Sequence, residues 1–385
     1  MKILIIRTSD APTDSRTLKE CFALLKAGHE VSVLDWDRKA KHGLERSQIE
    51  RANYNGVINR ISFGIPSTVG AGIRKNLAPY LKFFRACKSY IKRHHREYDA
   101  FHLCDFQTMF MLFKYLKRKR HIVVYDIFDY YPDIRQWPSF LRKRLVKRDN
   151  YFINNADAVI ICSDNRIKQL GDVSPKRLEI IHNAPSIFVE NTSADSFTKI
   201  EPKRTKIVYL GLLCNGRFIP ELIKTVESDP ALELHLGGFG ELEKYVELKS
   251  KENSRIIYHG LLPYDDVLKI ENTCDIFVAL YDPSVPNNRY SAPNKFYEAL
   301  ALGKPIIVAK GMGFDDFFDD YHFGIAVSPD ESGIRIGVDY LLANQGQWAN
   351  WQQEEQSLFA SQYSWNIMES RLALLYDQLA GPKQE

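Results

Sequence analysis

The chain has 385 residues, 45% hydrophobic and 26% charged, with a formal net charge of +4. Such values suit about two globular domains, each large enough for its own core, and exclude a disordered or fibrous chain. The six cysteines are scattered and form no C-x-x-C pair, which argues against a structural zinc site or a disulfide framework and points to a reduced, cytoplasmic setting.

The opening M-K-I-L-I-I-R-T is an apolar run that stops at Arg7, too short for a signal-peptide core or a membrane span. Residues 2–6, 31–34, 100–103, 122–125 and 158–162 read as buried parallel strands, because their apolarity is continuous rather than alternating. Helical periodicity near 15–27, 75–96, 106–118, 140–154 and 164–170 lies between them. Residues 1–185 are therefore expected to form a doubly wound α/β domain.

Charge is unevenly distributed along this half. Residues 73–150 hold 19 Lys and Arg against 7 Asp and Glu. Much of the excess lies in K-R-K-R at 117–120 and F-L-R-K-R-L-V-K-R at 140–148. Mixed basic and apolar residues suit an anionic membrane surface through residues 114–148, with a solvated helix face as the plain alternative. No nucleic-acid motif accompanies the charge, so no nucleic-acid partner is expected.

Residues 186–203 turn polar and lose the rhythm, as a linker does. The pattern restarts over 204–364, with strands near 207–210, 232–236, 256–258, 276–280, 305–308 and 324–327. Helices are expected at about 218–228, 240–252, 264–272, 293–302 and 332–344, and from Trp348 to Leu379. The last helical stretch, about 365–385, is expected to pack back on the first domain. Two tandem α/β domains face a cleft, and open parallel sheets bind ligands at the carboxyl ends of their strands.

Three stretches of the second domain carry the chemistry. In S-A-P-N-K-F-Y-E-A-L-A-L-G-K-P-I-I-V at 291–308, Pro293 leads into a helix and Gly303 ends it. Lys295 and Glu298 then share one face near the helix N-terminus, where a cation and a carboxylate suit a ligand bearing phosphate and hydroxyls. The plain alternative is a surface ion pair. The strand ending at Gly211 is followed by L-L-C-N-G-R-F, which sets Arg217 at the next helix start, able to fork onto phosphate. L-G-G-F-G-E-L-E at 236–243 lacks the dinucleotide spacing, and its glycines either shape a turn or let backbone approach a base or sugar.

Taken in order, these pieces resemble the GT-B glycosyltransferases, in particular family 4 and its close relatives. The resemblance runs over nearly the whole chain: T-S-D-A-P-T-D-S-R-T-L-K-E-C-F-A-L-L-K-A-G-H-E-V-S-V-L, I-I-H-N-A-P at 180–185, Y-L-G-L-L-C-N-G-R, Y-H-G-L-L-P-Y-D-D-V-L-K-I-E-N-T-C-D-I-F-V-A-L and N-K-F-Y-E-A-L-A-L-G-K-P-I-I-V. It implies two Rossmann-like doubly wound parallel-sheet domains, the second binding a nucleotide sugar. Glu298 matches the second Glu of the family's E-x7-E, which binds the donor ribose. Arg217 stands where the family has a diphosphate-binding Lys. Two positions depart: Leu212 replaces an Arg directly after the strand glycine, and Tyr290 replaces the first Glu. Lys295 is a candidate to replace the lost cation.

The expected donor-binding set is thus Gly211, Arg217, Gly238, Tyr290, Ser291, Asn294, Lys295 and Glu298. The first domain should face the acceptor, with Asp14, Arg16 and Asp126 on that side and Asp105, Asp129 and His102 as catalytic candidates, being acids or a base just beyond strand ends. Asp also caps helices, so some of these are expected to be structural. The expected function is transfer of a hexosyl group from a UDP- or GDP-sugar to a glycan or lipid-linked hydroxyl in polysaccharide or glycolipid assembly. Retention is expected over inversion, with no metal or other cofactor, in the cytoplasm or at the inner face of the membrane. If the enzyme retains, the departing phosphate takes the acceptor proton; if it inverts, Asp105 or Asp129 is the base. The alternatives are a nucleotide-sugar epimerase on the same fold and a catalytically silent nucleotide- or glycan-binding protein.

Overall fold

The computed structural model describes residues 1–41, 43–51, 56–68, 72–186 and 204–381. Most of the expected linker, 187–203, lies outside them. The chain divides into two compact units, Met1–His182 with Asn366–Glu385, and Asn183–Trp365.

The first unit runs β1 (Lys2–Ile6), α1 (Ser15–Lys26), β2 (Glu30–Asp37), β3 (Gly43–Ile49), β4 (Ile58–Gly64), α2 (Gly72–His94), β5 (Ala100–Cys104), α3 (Asp105–Arg118), β6 (Ile122–Ile127), α4 (Ser139–Asn155), β7 (Ala158–Ile161), α5 (Asn165–Leu170) and β8 (Leu178–Ile180). The sheet order is β3-β4-β2-β1-β5-β6-β7-β8. Every pairing is parallel except β3 with β4. Leu4, Leu34 and Trp36 of the central strands share a core with Phe83 of α2, Phe113 of α3 and Phe152 of α4. Covering helices explain the continuous apolarity of these strands.

Strands β3, β4 and β8 were not expected from the sequence. Strand β3, G-L-E-R-S-Q-I, is exposed at six of its seven positions. An edge strand held by one neighbour needs no apolar run, and so leaves no hydrophobic signal. Strand β8 is only three residues long.

The second unit runs β9 (Thr205–Leu212), α6 (Ile219–Glu227), β10 (Leu232–Phe239), α7 (Glu243–Glu252), β11 (Ile256–Tyr258), α8 (Tyr264–Asn272), β12 (Ile276–Ala279), α9 (Asn294–Leu302), β13 (Ile306–Ala309), α10 (Asp315–Asp320), β14 (Gly324–Val327), α11 (Glu331–Ala343) and α12 (Trp348–Leu358). Its sheet order is β11-β10-β9-β12-β13-β14, parallel throughout.

The single helix expected from Trp348 to Leu379 is interrupted. A π-helical turn at Phe359–Tyr363 and an extended Ser364 separate α12 from α13 (Trp365–Ala380). From Asn366 the chain belongs to the first unit, where the Tyr376 hydroxyl meets His102 Nδ1 at 3.0 Å and Arg371 donates to Ile180 O at 3.1 Å. Among the described residues no helix is long and apolar enough to cross a membrane.

Candidate active site

The parallel strands of the second unit deliver their C-terminal ends to one edge, and the expected donor residues gather there. Helix α9 forms as its sequence requires. Pro293 holds an extended N-cap, and Gly303 takes the left-handed conformation (φ 64°) that closes the last turn. A side chain at 303 would also strike Gln352, 2.4 Å from the added Cβ.

On α9, Lys295 and Glu298 are 7% and 2% exposed, so they are not a surface ion pair. The Lys295 ammonium donates to Leu210 O at the end of β9 and lies 4.8 Å from the centroid of the Tyr209 ring. Gly211 makes room for it, since a Cβ there would come within 2.9 Å of Lys295 Nζ. Glu298 Oε1 accepts from the Tyr264 hydroxyl of α8 at 3.0 Å.

Arg217 lies near the same strand end, beside Tyr209. It closes a 3-10 turn at Asn215–Arg217, ahead of Phe218 in the left-handed region (φ 54°), rather than lying in α6. Its guanidinium carbon stacks 3.5 Å over the Tyr281 ring. Burial pushes the Tyr209 phenol well up, with Arg217 nearby as an opposing influence. Two cations therefore converge beside Tyr209 and Gly211, and one of them shares a helix with a buried carboxylate.

The remaining expected donor residues have other placements. A Cβ at Gly238 would lie 1.8 Å from Gly211 O, and one at Gly240 would lie 2.2 Å from Leu213 O. Backbone packing between β10 and the 211–213 segment thus accounts for these glycines, with Gly238 N also donating to Gly260 O at 2.7 Å. Tyr290 ends a 3-10 turn, half-buried, and the Ser291 hydroxyl donates to Asn288 O at 2.9 Å. Asn294 is exposed at the start of α9.

In the first unit most of the candidate acceptor-side residues turn inward. Arg16 pairs with Glu20 at 3.0 Å and with Asp126 at 3.2 Å, and donates to Ile181 O at 2.6 Å. Asp126 also meets His102 Nε2 at 3.2 Å, and His102, Asp126 and Glu20 are fully buried. Burial pushes the Glu20 carboxyl well up, reinforced by Asp126. Burial pushes Asp126 up too, but Arg16 and His102 outweigh it and bring it down. His102 and Asp126 are both enclosed in an ion network tied to α13. With Cys104 they bring ligand-type atoms within 4.8 Å of one another, but both His102 nitrogens and both Asp126 oxygens already have protein partners.

Asp14 caps α1, accepting from Thr17 N at 3.1 Å, and takes Arg7 Nε at 2.8 Å. Arg7 also binds Asp105, whose other oxygen accepts from Phe128 N at 3.1 Å and Asp129 N at 3.4 Å. Asp105 therefore holds the loop after β6 in place. Asp129 is the exposed acid among the catalytic candidates. Sequence reasoning missed Arg7, Tyr209, Tyr264 and Tyr281. Nothing in local spacing singles them out, because Arg7 meets Asp105 across 98 positions, Tyr264 meets Glu298 across 34, and the rings of Tyr209 and Tyr281 meet Lys295 of α9 and Arg217 of the 3-10 turn.

The sequence D-W-D at 35–37 is also structural. Asp35 accepts from Ala11 N and Arg60 Nε, both at 2.8 Å, Trp36 lies in the core, and Asp37 Oδ1 accepts from Lys39 N and Ala40 N.

Two family models match the chain. Residues 17–185 match Glycosyltransferase Family 4, and residues 205–344 match Glycosyl transferases group 1. The chain belongs to the GT-B glycosyltransferases of the family 4 type. Among curated proteins none matches it. Solved structures similar to this glycosyltransferase include sucrose-phosphate synthase from Thermosynechococcus elongatus, with TM-score 0.75 and 15% identity over 99% of both chains. Anabaena HepE in complex with UDP-glucose has TM-score 0.66 and 15% identity, over 98% of this glycosyltransferase and all of that chain. WaaG, a glycosyltransferase involved in lipopolysaccharide biosynthesis, has TM-score 0.63 and 13% identity over 97% and 99%. At these identities the likeness shows the fold.

Proposed function

We propose that this glycosyltransferase moves a hexosyl group from a nucleoside-diphosphate sugar, UDP- or GDP-linked, to a hydroxyl of a glycan or lipid-linked acceptor in polysaccharide or glycolipid assembly. The observation that carries this reading is the convergence of Arg217 and Lys295 at the end of β9, one helical turn from Glu298. The two cations meet the diphosphate and the carboxylate meets the ribose diol. Fixed positive charge at the leaving group stabilises the negative charge that builds up as the sugar departs, often the largest catalytic contribution. The UDP-glucose complex of HepE supports a UDP-sugar as the donor class.

Retention is the favoured stereochemistry. Asp105 is engaged by Arg7 and two backbone N–H groups, and His102 is buried, which leaves Asp129 as the candidate base for inversion. In the retaining course the leaving phosphate takes the proton of the attacking hydroxyl on the same face, and no protein base is required. The test is a panel of UDP-, GDP- and other sugar nucleotides, with and without a hydroxyl acceptor. Free nucleoside diphosphate appearing only with acceptor is the expected result. A changed sugar without release indicates an epimerase, and binding without turnover a silent protein; either would overturn the proposal.

The acceptor being lipid-linked is supported by the surface of α3 and α4. Phe110 and Phe140 are 60% and 64% exposed, with Arg148 over Phe110 at 5.7 Å and Arg144 over Phe140 at 5.9 Å. Exposed rings among cations suit an anionic interface. Some of the basic residues are committed elsewhere: Lys117 to Asp157 at 2.7 Å and Arg142 to Asp133 at 2.7 Å. The protein is expected to co-sediment with phosphatidylglycerol vesicles at low salt and to be released as salt rises. No co-sedimentation at low salt would remove the membrane from the proposal.

A further inference from the structure

Within the β1–β4 segment of the first unit, Arg7, Arg16, Arg38 and Arg60 are buried or half-buried. Three of them meet two carboxylates each: Arg7 meets Asp14 and Asp105, Arg16 meets Glu20 and Asp126, and Arg60 meets Asp10 and Asp35. Arg38 differs, with no carboxylate in ion-pair distance among the described residues. It follows β2 directly, at the carboxyl end of a strand paired in parallel on both sides, which is the edge where open sheets hold ligands.

The guanidinium of Arg38 is held on an aromatic shelf. Its central carbon lies 4.2 Å from the centroid of the Trp36 ring and 5.5 Å from that of Tyr80. Trp36 is fixed in turn, stacked on Phe83 at 5.0 Å with Nε1 donating to Ile65 O at 2.8 Å. Nη2 of Arg38 donates to Thr8 O at 3.0 Å and to the Tyr80 hydroxyl at 3.4 Å. A guanidinium carries five N–H donors, and those on Nε and Nη1 meet no described residue. The acids of the same strand end are engaged elsewhere: Asp10 and Asp35 by Arg60, and Asp37 by the N–H groups of Lys39 and Ala40.

We propose that Arg38 binds an oxyanion carried by the acceptor, a phosphate or a carboxylate near the hydroxyl that receives the sugar. This rests on the reading of the chain as a glycosyltransferase whose first unit takes the acceptor. A half-buried cation without a counterion gains most from a ligand that brings the missing negative charge, and arginine is suited to oxyanions. Because the stack on Trp36 already orders the side chain, little freedom is lost when the anion arrives.

The experiment is calorimetric titration of glucose 1-phosphate, glucuronate and glucose into the full-length protein with saturating UDP present, so that the cations of the donor site are occupied. Wild type is expected to bind at least one of the two anions about tenfold more tightly than glucose, and whichever anion it prefers tells a phosphate source from a carboxylate one. Arg38→Met keeps the stem over Trp36 and removes the charge, while Arg38→Gln also keeps a donor for Thr8 O. Both are expected to cut the preference to about twofold or less, with a thermal melt of each confirming the fold, whereas Lys88→Ala, an exposed cation of α2, keeps it. Equal affinity for the anions and glucose in wild type would overturn the proposal. So would a preference that survives in both Arg38 variants, or one that Lys88→Ala also abolishes, since that is diffuse attraction to a basic surface. UDP titrated alone into the same proteins reports the donor site separately: its affinity is expected to be unchanged in the Arg38 variants, and a wild type that binds the anions but not UDP would remove the donor reading and leave the anion site standing.

Discussion

Glu298→Ala is expected to weaken nucleoside-diphosphate binding by more than about tenfold, and Arg217→Ala by a similar factor, because charge-assisted contacts in a buried site contribute about 1.5–3 kcal/mol each. Glu298 is buried and lies a single helical turn from Lys295. A carboxylate 2% exposed on the helix that also carries the Leu210-bound ammonium is held where it meets a ligand rather than bulk water. Glu298→Gln refines the test, since it keeps the shape and an acceptor for Tyr264 while removing the charge. It should bind more tightly than the alanine variant and less tightly than wild type. For Arg217 the stacked Tyr281 ring pre-orders the guanidinium, so little rotamer freedom remains to be lost on binding. Titration calorimetry with UDP and GDP decides the matter; unchanged affinity in both alanine variants would sink the site assignment.

The second large effect is on stability. Arg16→Ala is expected to destabilise the first unit by about 3–5 kcal/mol, the usual cost of leaving partners of a buried ion network uncompensated. Arg16 is 7% exposed and meets Glu20, Asp126 and the carbonyl of Ile181. Its loss leaves two fully buried carboxyls facing each other. Replacing the three together, Arg16→Met with Glu20→Leu and Asp126→Leu, should recover much of the deficit, because an apolar core of similar volume needs no compensation. Urea denaturation followed by tryptophan fluorescence measures both variants. A loss below about 1 kcal/mol in the single variant would show that the network is better hydrated than its burial implies.

Much of the fold was legible because its central strands are covered on both faces. Residues 158–161 and 276–279 are apolar throughout, and Pro293 and Gly303 mark the ends of α9. What escaped was whatever lacks a hydrophobic run, such as exposed β3, or depends on distant partners. Lys295 and Glu298 could be paired on one helix face from their spacing, whereas the acceptors and donors they use, Leu210 and Tyr264, lie 85 and 34 positions away. The same limit explains His102 and Asp126. Their positions beyond or within strand ends suggested proton chemistry, but whether such a group faces solvent or a buried arginine is settled by Arg16, 110 positions from Asp126. At Gly238 the close constraint comes from the backbone of a neighbouring strand, which the residues around it in the sequence do not show.

The return of α13 to the first unit has a consequence for the order in which the protein is made. Met368, Leu372 and Tyr376 are fully buried there, and Tyr376 completes the hydrogen bonding of His102. On the ribosome the first 182 residues emerge early but lack this closing helix, whereas everything the second unit needs has emerged by Trp365. The second unit can therefore finish folding first, and the first unit waits, with part of its interior uncovered, for α13 to arrive.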